Sequence, residues 1–306
     1  KLALKEFYSI NDVNKSQIKF HLYCNQNQEE HWTKILNEFI VGGIDTTVFS
    51  MADDEYIRKV EHMQQTDCEY MCKWDDDVFI NRHVWDYIIE NIHVLDDSRY
   101  FAMSPIFTNG MPSVDLFVED FLNEEQTQKV NKIFIKDGIN PYIWGCDYAS
   151  LNEQIKNLSE WDSRKYWRMV EEHDQALNRG LPWYFYVAKG VHPARYSSEY
   201  NMFIANFTIE NSAKVFEKGN YYLDDNFFTP YFCNNLLICR TDYYKQSQTE
   251  FFDHWDEGQL TTLARKTNKV PVYIRNSYGI HMAYGCTENQ KDIEKLYTTE
   301  FFEKFL

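Results

Sequence analysis

No stretch of this 306-residue chain approaches the ~20 consecutive apolar residues that span a bilayer, and no signal peptide is visible, so a transmembrane segment is not expected. Basic residues are also scarce. The 31 Lys and Arg face 47 Asp and Glu, a formal net charge of −16. Phosphate backbones and anionic lipid need a basic surface, which excludes nucleic acid and an anionic membrane as main partners. A disulfide framework is missing too: seven cysteines, an odd number without framework spacing, point to reduced thiols and a cytoplasmic setting. His62, Cys68 and Cys72 have no fourth ligand at regular spacing, which argues against zinc. Sequons at Asn14, Asn157 and Asn206 leave a Golgi lumen as the lesser alternative. The chain begins at Lys1 rather than Met, which fits removal of an upstream segment. It contains no internal repeat and no low-complexity linker.

What is present is enough to bury a full core, with 44% hydrophobic residues and 25% charged. Aromatics reach 17%, enough to pack the interior and still line a cleft that stacks rings on bases or sugars. Residues 18–23 alternate apolar and polar and predict a first strand, with a turn at 24–27. Trp32, Ile35, Leu36, Phe39 and Ile40 recur at helical spacing up to Gly42-Gly43. A second strand at 46–49, a polar loop and a helix over 56–65 follow. Such alternation predicts an α/β fold with a mostly parallel, doubly wound sheet. Asn81 is placed to cap a helix whose Trp85, Ile88, Ile89 and Ile92 form one apolar stripe, and 101–106 and 236–241 read as further strands.

The segment Cys68 to Ile80 is a strand-like apolar run that ends in Asp75, Asp76 and Asp77. Side chains alternate along an extended chain, so Asp75 and Asp77 share a face and Asp76 takes the other. Two hard oxygen ligands suit Mg²⁺ or Mn²⁺, which keep several waters and take their remaining ligands from substrate phosphates. The same tripeptide also suits an acidic turn that caps the next helix. A calcium EF-hand is excluded, because Ile80 occupies the position that demands glycine. Asp224-Asp225 forms a second acidic turn; it ranks lower as a metal site because it ends no buried run.

Lys73-Trp74-Asp75-Asp76-Asp77 resembles the Asp-X-Asp motif of GT-A nucleotide-sugar glycosyltransferases, at about the distance from the N-terminus where that fold places it. The resemblance implies a GT-A-like, Rossmann-like central sheet flanked by helices, with residues 1–306 as one domain. Residues 1–108 would be the nucleotide-sugar-binding half and 109–306 the acceptor-binding and catalytic half. Asn25, Gln26, Asp53 and Asp54, in the loops after the first two strands, become donor contacts beside Lys73, Asp75 and Asp76. The irregular middle would cover the acceptor, with Trp144, Trp183, Tyr184 and Tyr186 available for sugar faces, and His192 and Arg195 for a diphosphate or an acidic acceptor.

A second constellation lies near the C-terminus. Asp256-Glu257 precedes a helix whose Leu260, Leu263 and Ala264 face the core; a strand at 270–274 follows, and then His281. This order resembles the second signature of inverting GT-A enzymes, in which an acidic pair supplies the catalytic base and a histidine reaches the metal. The pair usually reads Glu-Asp and here reads Asp-Glu, so either Asp256 or Glu257 takes the role, with Glu257 in register. Acids at a helix start also satisfy free amides and the dipole, which is their ordinary structural use. The resemblance therefore implies a metal-dependent glycosyltransferase with Mn²⁺ or Mg²⁺ at Asp75, Asp77 and His281. Its partners would be a nucleoside-diphosphate sugar donor and a glycan or glycolipid acceptor, with membrane contact only through that acceptor. A nucleotidyl- or phospho-group transferase on the same metal site and a non-catalytic glycan-binding module are the alternatives.

Overall fold

The computed structural model describes residues 2–38, 44–51, 62–108, 113–137, 197–225, 235–250, 256–282, 290–297 and 301. They form a mixed α/β fold. Strand β1 (Lys19–Asn25) pairs in parallel with β2 (Asp45–Met51), from Lys19 opposite Asp45 to Asn25 opposite Met51. Between them, the helix Glu29–Asn37 carries Glu29 and Glu30 in its first turn, where carboxylates complement the helix dipole, and buries Leu36. This is the strand–helix–strand unit expected from the periodicity. The helix expected over 56–65 is described only at its end, His62–Gln65.

Among the described residues, the larger sheet has six strands: β3 (Tyr70–Trp74), β4 (Val78–Ile80), β5 (Tyr100–Phe107), β6 (Tyr222–Asp224), β7 (Leu236–Arg240) and β8 (Val270–His281). Their order is β3-β7-β5-β8-β4, with β6 also on β8. The expected mostly parallel sheet forms only in part. β5 and β8 are parallel, whereas β3/β7, β5/β7, β4/β8 and β6/β8 are antiparallel. One reason lies at the acids. A parallel neighbour needs a crossover of about a dozen residues or more, but only Asp75, Asp76 and Asp77 separate β3 from β4. The chain therefore reverses there, and β4 runs against β3, β5 and β8.

That short reversal also bends the whole sheet. β3 and β4 stand at opposite ends of the strand order, yet three residues join them. The sheet must curl until its two edges meet at the acidic turn, and Trp74 Nε1 donates across this seam to the Val78 carbonyl at 3.0 Å.

Each face of the sheet has its own apolar cluster. Met71, Phe79, Leu237, Tyr273, Tyr278 and Ile280 face helices 113–121, 198–210 and 256–267, whose Phe117, Ile204, Leu260, Leu263 and Ala264 are buried there. Val78, Ile80, Leu236, Ile238, Val272 and Ile274 face the helices Leu2–Tyr8 and Arg82–Asn91. Asn81 caps the latter helix as expected, accepting from the Val84 amide at 3.0 Å, and Glu6 accepts from the Arg82 amide at 2.7 Å. Midway along β8, Asn276 has φ 60°, a left-handed kink that Asn tolerates better than most residues. Just beyond it, Gly279 lies opposite Phe107, where a Cβ would stand 2.3 Å from the ring. Glycine therefore permits the close approach of β5 and β8 immediately before His281. Among the described residues, no helix is long and apolar enough to cross a membrane.

Candidate functional site

β3, β5 and β8 run in one direction, so their carboxyl ends gather on one rim of the curled sheet. Asp75–Asp77 follow β3, Thr108 follows β5 and His281 ends β8; Asn235, just before β7, joins them because β7 runs the other way. Ligands of α/β folds bind beyond such carboxyl ends. Four of the hydrogen bonds at the acidic turn involve its backbone. The Asp75 amide donates to Asn235 O at 3.2 Å, and the Val78 amide to Asp75 O at 3.2 Å. The Met282 amide donates to Asp77 O at 2.8 Å. The Trp74 indole supplies the fourth.

The turn changes the expected presentation of the acids. β3 ends at Trp74, and Asp76 and Asp77 occupy a turn instead of continuing a strand, so the alternation argument holds only up to the strand end. Asp76 is exposed, while Asp75 and Asp77 are half-buried. Lys73, buried on the Met71 face, donates from Nζ to Asp75 Oδ1 at 2.7 Å. On the other side of the seam, His281 is the register partner of Val78, which brings its Nε2 to 3.3 Å from Asp77 Oδ1. The imidazole is buried and the carboxylate is 38% exposed, so the pair opens to solvent through Asp77. Residues from the two ends of the sequence thus meet because β8 closes the sheet against β4.

Among the described residues, no group of three or more His, Cys, Asp or Glu side chains is arranged as a ready-made metal cage. The donors at the seam are one carboxylate beside one imidazole, with Asp75 engaged by Lys73. That set fits a cation held by few protein ligands and completed by substrate phosphates and water, which is the usual habit of Mg²⁺ and also open to Mn²⁺.

The remaining candidates fall in several places. Asn25 ends β1, and Gln26 opens the short helical turn after it, on a shallow surface with Glu29, Glu30 and Lys34. Asp256 and Glu257 open the helix Asp256–Thr267, which packs on the face that carries Lys73. Because that helix ends just before Val270, its first residues lie at the end away from the start of β8. Asp53 and Asp54 lie outside the described residues, as do Gly42-Gly43, the helix expected around 164–179, Trp144, Trp183, Tyr184, Tyr186, His192 and Arg195. The rival acids are structurally engaged: Asp224 accepts from Arg275 Nη1 at 2.7 Å, and Asp225 from the Tyr100 hydroxyl at 2.5 Å. Sequence reasoning gave no role to Trp74 or Asn235, which fix the turn; the adjacency of Trp74 to the acids was the available signal. Compared with known proteins, the chain matches no family model, no curated protein and no solved structure.

Proposed function

We propose that this protein is a metal-dependent glycosyltransferase of the inverting type, moving a sugar from a nucleoside-diphosphate donor to a hydroxyl of a glycan or glycolipid. The observation that carries this reading is the meeting of Asp77 and His281 at 3.3 Å, beside Asp75, on the carboxyl-end rim. Asp75, Asp77 and His281 would hold Mn²⁺ or Mg²⁺. When bound, such a cation neutralises the charge that grows on a departing diphosphate. Lys73 sets the position of Asp75 through their 2.7 Å contact and adds positive charge where donor phosphates would lie. Asp76, exposed at the tip of the turn, and Asn25 and Gln26, after β1, would contact the donor. Asp256 or Glu257 would take the proton from the acceptor hydroxyl, a task for a carboxylate within hydrogen-bond reach of it. Net charge −16 supports an anionic donor only if a cation bridges the repulsion.

The test is a screen of nucleotide sugars for Mn²⁺-dependent hydrolysis in the absence of acceptor. Release of nucleoside diphosphate with inversion at the anomeric carbon supports the reading. Cleavage between the phosphates would assign a nucleotidyl- or phospho-group transferase instead. Glycan binding without turnover, unchanged in Asp77→Ala, would assign a binding module.

A further inference from the structure

Trp74 has chemistry at both ends of its side chain. Its ring packs against Phe7 at 5.6 Å between centroids, Trp85 at 5.1 Å and Phe20 at 6.2 Å. Phe7 belongs to the N-terminal helix, Phe20 to β1 and Trp85 to the helix after β4, so three separate elements grip one indole. Its polar end spans the carboxylates, since Nε1 donates to the Val78 carbonyl, the first residue after them. Beside this bond, the turn has backbone bonds from Val78 N–H to Asp75 O within it and from Asp75 to Asn235 and Met282 to Asp77 at its ends, and the side-chain contacts of Asp75 with Lys73 and of Asp77 with His281. A turn carrying three like charges resists closure, and an oriented donor anchored in an apolar cluster opposes that tendency.

We propose that Trp74 is a positioning residue for the acidic turn. Its indole N–H sets the distance between β3 and β4, so that Asp77 stays in reach of His281 while Asp75 stays on Lys73. The inference concerns the geometry of the seam; its consequence for metal binding rests on the glycosyltransferase reading.

Trp74→Phe tests it, because a phenyl ring still packs on Phe7 and Trp85 but donates no hydrogen bond. Phe7→Ala is the control, losing packing while leaving the indole N–H in place. Amide hydrogen exchange reads the seam directly. In Trp74→Phe the Val78 and Met282 amides should exchange roughly fivefold to tenfold faster relative to the β5 and β8 core, the factor expected for one lost hydrogen bond. In Phe7→Ala any acceleration should spread over the N-terminal helix and β1 as well. The second readout is the Mn²⁺ concentration that half-saturates the rise in melting temperature with uridine or guanosine diphosphate present, since a ligand of the native state raises it by mass action. This midpoint should rise about tenfold in Trp74→Phe and stay unchanged in Phe7→Ala. Uniform exchange at Val78 and Met282 in Trp74→Phe overturns the positioning role, as does an unshifted Mn²⁺ midpoint. If the wild-type protein gives no Mn²⁺ response with either nucleotide, the functional reading falls, and the exchange data alone decide for or against Trp74.

Discussion

Two acidic clusters serve this fold in opposite ways. At Asp224, Arg275 gathers the charges: it donates to both Asp120 oxygens, to Asp224 at 2.7 Å and to Glu119 at 3.0 Å, and Asp120 Oδ2 also accepts from the Asn276 amide at 2.7 Å. Arg275 is itself buried; burial works against its charge, but the carboxylates hold its pKa above the ordinary value. At Asp75–Asp77, buried Lys73 meets Asp75 and buried His281 stands beside the half-exposed Asp77, while Asp76 is exposed. The first cluster is gathered on one buried guanidinium and tied into the sheet. The second keeps carboxylate capacity directed outward. Acidity alone therefore marks neither as a site; what separates them is that one guanidinium engages every acid of the first, whereas Asp76 of the second is exposed.

The largest expected effect breaks the locked cluster. Arg275→Ala should cost about 3–5 kcal/mol in chemical denaturation, because it strands the buried Asp120 and the half-buried Asp224 without their guanidinium. Gly279→Ala comes next, at about 1–3 kcal/mol, since its Cβ would press into the buried Phe107 ring. Unchanged stability in that variant would show that β5 and β8 have slack at the rim. Glu6→Ala should cost about 1 kcal/mol by removing the acceptor of the Arg82 amide at a helix start.

Glu6 also supplies a pH dependence. Burial raises its pKa above 4.5, against the opposing hydrogen bond from Arg82. The fold then favours the protonated acid, so this contribution is complete below the unfolded value and is lost as pH rises through the folded one. Glu6→Gln should flatten that part of a stability-versus-pH curve. The smallest stability change belongs to the open turn. Asp77→Asn should shift unfolding by no more than about 0.5 kcal/mol, because asparagine keeps an oxygen beside His281 and partly exposed ion pairs contribute little, yet abolish Mn²⁺-dependent turnover. A loss of stability as large as that of Arg275→Ala would make the two clusters alike and remove the contrast.

Local features were legible in the residues. Asn81 followed by a Trp85–Ile88 stripe reads as a capped amphipathic helix and forms one, and the β1–helix–β2 unit follows its periodicities. Leu260, Leu263 and Ala264 were recognisable as the core face of a helix and are buried. The acids at the end of the 70–74 strand stood out for the cost of three charges beside a buried run. Less legible was the saturation of Asp224, because its partner Arg275 sits 51 positions away on β8. The chain reversal at Asp75–Asp77 was equally hidden, since alternation says nothing about where a strand ends. Trp74 read as one more aromatic, because its hydrogen bond exists only once Val78 folds back beside it.

The sequence by itself determined the elements, because helix and strand periods, caps and apolar faces depend on neighbours a few residues apart. It also determined that three carboxylates would cluster, since they are covalently adjacent. Tertiary structure alone decided which partner each carboxylate meets. The curling of the sheet brought His281 to Asp77 and the pairing of β6 with β8 delivered Asp224 to Arg275, and both are consequences of closing β-strands far apart in the chain, where pairing partners are chosen by the packing of the whole core.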